Sequence, residues 1–220
     1  MSDNTANIVA AFTSRIHEFE IFMDGVAALF QKHPTICGGK FPIVHSIKKR
    51  VKDSTHLREK IDRKNAAGGT IDPDNCFKNI TDFAGVRVLH LQQEDFGEIK
   101  KVIDEKIESG DWHLVEQPIA YTWDPEYEQY FLQLGCRCER KESFYTSVHF
   151  VIRPRQDSPL ACEIQVRTLF EEIWGEIDHR LNYPVPTTVD SCREQLRVLA
   201  KVVGAGSRLV TSICNCNLRK

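Results

Sequence analysis

Residues 162–183 read CEIQVRTLFEEIWGEIDHRLNY. The first six alternate, so Glu163, Gln165 and Arg167 fall on one face of a strand and Ile164 and Val166 on the other. Thr168-Leu169-Phe170-Glu171 has the form of a capping box, with Thr168 as N-cap and Glu171 at the third helical position. The spacing then predicts a helix with Leu169, Ile173, Ile177 and Leu181 on one apolar stripe, stopped by Pro184. A carboxylate, an amide and a guanidinium on one strand face describe either a solvated edge or a surface that holds a charged ligand. A second polar strand decides between them. Within residues 137–152, Tyr145, Ser147 and His149 share one face, and Val148, Phe150 and Ile152 share the other. Paired as a hairpin across Arg153 to Pro159, the two strands set Tyr145, His149, Glu163 and Gln165 on one surface.

Upstream, residues 41–64 are the basic part of the chain. Lys48, Lys49, Arg50, Lys52, Arg58, Lys60, Arg63 and Lys64 face only Asp53, Glu59 and Asp62. A strand over 43–52 places Arg50 and Lys52 on one face. Ser54 is expected to cap a helix reaching about Asn65, with Leu57 and Ile61 inward. Such a charge run is usually a solvated helix face, but two cations side by side on a strand with Lys60 beyond can hold a polyphosphate. After a Gly68-Gly69 linker and a short helical piece at 75–80, Asp82-Phe83-Ala84-Gly85-Val86-Arg87-Val88-Leu89 reads as a buried strand. It has an acid at its mouth and small residues where a ligand can approach. Residues 95–108 form an amphipathic helix with Phe96, Ile99, Ile103 and Ile107 inward, and 111–120 read as a strand. Residues 121–134 are aromatic and acidic with no clear period.

The two ends are helical. Apolar residues recur at 8, 12, 16, 19, 22, 26 and 29, and a last helix spans 189–213, weakened by Gly204 and Gly206. That last helix is expected to pack on the N-terminal helix or on another subunit. The division is therefore 1–40 (helix and loop), 41–186 (core) and 187–220 (C-terminal helix). The chain of 220 residues is 41% hydrophobic and 27% charged, an ordinary globular composition without repeats. No apolar run approaches the roughly 20 residues of a membrane span, and the N-terminus has no leader pattern, so a cytoplasmic protein is expected. The eight cysteines are spread along a chain too large to need a disulfide scaffold. Cys136-x-Cys138 and Cys214-x-Cys216 are spaced more tightly than common structural zinc sites. Net charge is −2, so any anion site must be local.

Two carboxylates from different strands, Asp82 and Glu163, with substrate phosphates, are how proteins usually hold Mg²⁺. Arg50, Lys52 and Lys60 would neutralise a transferring phosphoryl group. Tyr145, with Lys141 near, offers a ring face to a nucleobase. No Gly-rich phosphate loop is present.

The motifs RVKDSTHLREK, DFAGVRV, KESFYTSVH and EIQVRT…DH…NY, in this order, resemble the synthetase domain of the RelA/SpoT proteins, in size the stand-alone small alarmone synthetases. That resemblance implies an α/β fold, a nucleotidyltransferase-like mixed β-sheet flanked by helices. It also implies transfer of the β,γ-pyrophosphate of ATP to the 3′-hydroxyl of GDP or GTP, making (p)ppGpp. By position, Arg50 would meet adenine, and Lys52 and Lys60 the ATP phosphates. Asp82 and Glu163 would bind Mg²⁺, Glu163 also taking the acceptor proton. Tyr145 would stack on the acceptor base, with Lys141 and His149 on acceptor phosphates. Gln165, Arg167 and His179 match pocket-lining positions, although His179 reads equally as a buried helix histidine bonded to a carboxylate. The chain departs from the family on the acceptor side, with Phe144 where Gly is common, Thr146 after the tyrosine, and Pro184 after Asn182-Tyr183. Toxic relatives use adenosine nucleotides or the 3′ end of tRNA as acceptor, and a nucleotide-sensing pseudoenzyme is a third reading. A cognate antitoxin and a homo-oligomer are further expectations. No His-Asp dipeptide marks the degrading domain of the long members.

Overall fold

The computed structural model describes residues 3–183 and 185–218. A seven-stranded mixed sheet runs in the order β1-β2-β7-β6-β4-β5, with the short β3 also against β6. Its strands are β1 (Val44–Val51), β2 (Ala84–His90), β3 (His113–Leu114), β4 (Ile119–Tyr121), β5 (Arg137–Glu139), β6 (Ser147–Arg153) and β7 (Cys162–Thr168). The helices are α1 (Asp3–Lys32), α2 (Pro34–Cys37), α3 (Ser54–Ala66), α4 (Cys76–Asn79), α5 (Phe96–Glu108), α6 (Pro125–Gln133), α7 (Leu169–Asn182) and α8 (Asp190–Leu218). The expected mixed sheet flanked by helices is what the chain forms.

Register separates the two faces. β1 pairs antiparallel with β2, placing Arg50 opposite Gly85 and Lys48 opposite Arg87. β2 runs parallel to β7, with Gly85 beside Glu163 and Arg87 beside Gln165. The hairpin of β6 and β7 forms as the alternation required, with His149 opposite Gln165. Because side chains alternate along each strand, all these polar groups share one face. The other face carries Val86, Val88, Val148, Phe150, Ile152, Ile164 and Val166, each almost wholly buried in the main core. Phe12 and Phe19 of α1 close that core over Phe83, with ring centroids 4.8 and 5.3 Å away. Phe96 of α5 meets Phe150 at 6.3 Å.

Several local expectations are corrected. Asp53, not Ser54, caps α3, accepting from the Thr55 and His56 N–H groups. The strand expected at 111–120 is two short strands with Pro118 between them. Residues 125–133 form α6 behind an Asp124 N-cap with Pro125 at the first position, a start signal that the aromatic run obscured. The long alternating segment is broken: a turn closes from Lys141 to Phe144, and Tyr145 follows it in irregular backbone ahead of β6 rather than on a strand. The Thr168–Glu171 capping box is present. The apolar stripe of α7 is nonetheless turned outward: Ile173 is 55% exposed, while Glu171, Glu172 and Trp174 are buried. α7 covers the charged face of the sheet, so its acids turn inward. The stop at Pro184 lies outside the described residues. α8 packs on α7, not on α1. Gly204 and Gly206 do not break it; a Cβ at Gly206 would come 2.9 Å from the Phe170 ring, so the two helices meet there closely. All eight cysteines are free thiols. Among the described residues no helix is long and apolar enough to cross a membrane.

Candidate active site

The polar face of the sheet, α3 and α7 enclose a cleft of about 770 Å³. β1 and β2 bring Arg50, Lys52 and Asp82 to it, β7 brings Glu163, Gln165 and Arg167, α3 brings Lys60, and α7 brings His179. Tyr145 enters from the turn before β6. Gly85 keeps the floor open beside Glu163, with no side chain between strand and cleft.

Asp82 sits between two lysines, with Lys60 Nζ 2.6 Å from Oδ1 and Lys52 Nζ 2.9 Å from Oδ2. Burial works to raise its pKa, but the Lys60 and Lys52 charges and hydrogen bonds outweigh it and bring the carboxyl down to about 2. Lys52 is only 8% exposed. Burial lowers its pKa more than the Asp82 charge restores it. Glu163 is held by two neighbours: His149 Nδ1 lies 3.0 Å from Oε1, and Gln165 Nε2 donates to Oε2 at 2.7 Å. Burial pushes this carboxyl up, and the His149 contact together with the Gln165 hydrogen bond pull it below the ordinary range. Both acids are therefore ionised at neutral pH.

On the far side of Glu163 the contacts continue in a chain. The Tyr145 hydroxyl lies 2.9 Å from His149 Nε2. The Arg167 guanidinium lies 5.5 Å from the Tyr145 ring centroid and donates to Gln165 Oε1 at 2.8 Å. Arg167 is 3% exposed, tucked beneath α7 where a Cβ at Gly175 would run into it. It lines the cleft as a support for Tyr145 more than as an open contact. His179 is exposed and stacks on Tyr183, centroids 4.7 Å apart at 13°, so the buried-histidine alternative does not hold. Arg50 is exposed and has no ion-pair partner among the described residues. Lys141 stands apart from the cleft, its Nζ 4.4 Å from the Tyr121 ring centroid and 3.9 Å from Glu139.

Sequence reasoning missed a second charged layer. Glu172 of α7 meets Lys48 at 2.6 Å, Arg87 at 2.8 Å and Arg167 at 3.4 Å. The signal was the parity of Lys48 with Arg50 and of Arg87 with Gly85, which puts both cations on the cleft face. Their partner, far along the chain, gave none.

This architecture is shared with solved enzymes. The crystal structure of the small alarmone synthetase 1 from Bacillus subtilis superposes with a TM-score of 0.70 at 17% identity, covering 96% of this chain and all of that one. A structure of the same protein bound to its product pppGpp gives 0.63 at 20% identity, with 93% of each chain covered. The GTP pyrophosphokinase YjbM of Bacillus subtilis (strain 168) is 25% identical over 203 residues, 90% of this chain and 81% of that protein. The model described as "Region found in RelA / SpoT proteins" matches residues 49–188, and the chain belongs to the RelA/SpoT family.

Proposed function

We propose that the protein is an ATP-dependent pyrophosphokinase that transfers the β,γ-pyrophosphate of ATP to the 3′-hydroxyl of GDP or GTP, with Mg²⁺. The observation that carries this is the pair of ionised carboxylates, Asp82 and Glu163, facing Arg50, Lys52 and Lys60 across one cleft. Arg50, exposed and unpaired, offers a planar cation to adenine. Lys52 and Lys60, now on Asp82, would exchange that carboxylate for ATP phosphates when the nucleotide arrives.

The residues present fit Mg²⁺. Asp82 and Glu163 supply hard oxygen donors. Among the described residues no three His, Cys, Asp or Glu side chains gather as a metal cage, so substrate phosphates and water would complete the coordination. Bound there, the ion would neutralise charge on the phosphoryl oxygens. Glu163, fixed by His149 and Gln165, accepts the proton of the 3′-hydroxyl as that oxygen bonds to the β-phosphorus. The bond between the β-phosphorus and the α-phosphate oxygen breaks, and AMP leaves. The acceptor base lies against Tyr145, with Gln165 and His179 lining its side of the cleft, His149 at the Tyr145 hydroxyl and Arg167 holding the ring. Lys141, apart from the cleft over Tyr121, would reach the acceptor phosphates only by leaving that ring.

The test is incubation with ATP labelled in its γ-phosphate and, separately, GDP, GTP, ADP or deacylated tRNA. Label on GDP or GTP, with AMP released in equal amount, is expected. Label on tRNA or ADP alone would replace the acceptor, and no transfer to any of them would leave a nucleotide-sensing protein.

A further inference from the structure

Phe144 is the only non-glycine residue at positive φ among the described residues, at 66°. Aromatic side chains rarely adopt this left-handed backbone, and such a residue persists only where its surroundings over-determine it. The surroundings here are specific. The Phe144 N–H closes a turn onto the Lys141 carbonyl at 3.0 Å. Its ring stacks on Trp123, centroids 5.3 Å apart at 20°. Three cations point at the same ring: Arg140 at 5.0 Å, Arg197 at 5.9 Å and Lys201 at 6.0 Å from its centroid. Two of these belong to α8. Arg197 also donates from Nε to the Glu142 carbonyl at 3.1 Å. Trp123 backs onto α8 as well, for a Cβ at Gly204 would come 3.2 Å from its ring. The turn carrying Phe144 is thus gripped from one side by a single helix, outside the main core, in the small cluster that also includes Tyr145 and Trp174.

We propose that Phe144 is a positioning residue for the acceptor: held by Trp123 and the cations of α8, it fixes the left-handed turn that sets the Tyr145 ring at the cleft wall. The inference rests on the reading that the acceptor base meets Tyr145. Its physical content is direct. The unfavourable φ is offset only while the ring keeps its stacking and cation contacts. Once those go, the backbone relaxes toward negative φ, the peptide ahead of Tyr145 rotates, and its hydroxyl leaves His149. β1, with Arg50, lies three strands from β6 in the sheet, so ATP binding has no reason to change. α8 thereby becomes part of acceptor selection without touching the acceptor.

The experiment is steady-state kinetics on the full chain with Mg²⁺, varying GDP and ATP separately. Phe144→Ala keeps the backbone cost and removes the grip, so KM for GDP should rise about tenfold while KM for ATP stays within about twofold. Phe144→Gly, which accepts positive φ freely, should recover a good part of that loss. Phe144→Tyr, which keeps the stacking ring, should match the parent. A purely structural role would instead order all three by thermal stability and move both KM values together. If Phe144→Ala does not fold, the surface double variant Arg197→Gln/Lys201→Gln decides: a rise in KM for GDP of about threefold or more supports the proposal, and an unchanged value overturns it. A folded Phe144→Ala with unchanged KM for GDP, while Tyr145→Ala raises it, also overturns it. Were Tyr145→Ala itself without effect on GDP, the placement of the acceptor would be at fault and this inference would fall with it.

Discussion

Arg50 and Arg167 sit on the same face of the same sheet and are opposite in condition, one exposed and unpaired, the other 3% exposed and enclosed by Gln165, Tyr145 and Glu172. Strand parity foretold that both would face the cleft, as it did for Lys52, Glu163 and Gln165; Asp82 was placed only as the acid at the mouth of its strand. It did not foretell which would be open, because exposure depends on what α7 lays over the sheet. Phe144 shows where parity fails: the alternation read within residues 137–152 does not reach back past Ser147, where β6 begins. The place of Phe144, at positive φ against Trp123, depends on α8, some fifty residues away. For Arg50 the consequence is simple. Arg50→Ala should raise KM for ATP by roughly ten- to a hundredfold, leave KM for GDP near its parent value and cost less than about 0.5 kcal/mol in stability, since the side chain is exposed. A change confined to GDP would reverse the two ends of the cleft.

Among the elements, α7 was the most legible at its start and the least legible in its packing. Its capping box is a local signal and is present, with Glu171 accepting from the Thr168 N–H at 2.7 Å. Which face it buries is a tertiary matter: the sheet beneath is charged, so Glu172 is drawn in and the aliphatic stripe is left outside. Glu171 is buried, 7% exposed. Burial raises its carboxyl to about 7, the Thr168 hydrogen bonds and the Arg167 charge opposing this only in part. Because the folded value lies above the unfolded one, the unfolded chain releases this proton first as pH rises. The contribution of Glu171 to stability is therefore full below about pH 4.5, falls between there and about 7, and is level above, with a total loss on the order of 3 kcal/mol. Glutamine keeps the capping geometry without titrating. Denaturant unfolding at pH 5 and pH 8 should show a steep loss in the parent and a shallower one in Glu171→Gln. Equal slopes would mean that Glu171 titrates normally.

At the scale of the whole molecule, the sheet divides labour between its faces, an apolar one under α1 and α5 and a charged one forming the cleft. This division was legible because period-two patterning names both faces at once, whereas strand order and the docking of α8 on α7 leave no local trace. It also makes stability and chemistry separable. Phe12, 1% exposed against Phe19 and Phe83, is on the face opposite the cleft. Phe12→Ala should cost about 3–5 kcal/mol in unfolding free energy, while kcat measured at low temperature on the folded fraction stays near the parent value. The proposed transfer depends on both carboxylates, Asp82 and Glu163, and single-turnover chemistry reads that dependence free of product release. Single-turnover transfer from ATP to GDP with Mg²⁺ should fall by about three orders of magnitude or more in both Asp82→Asn and Glu163→Gln, with the fold intact by circular dichroism. Near-parental turnover in either folded variant would contradict it.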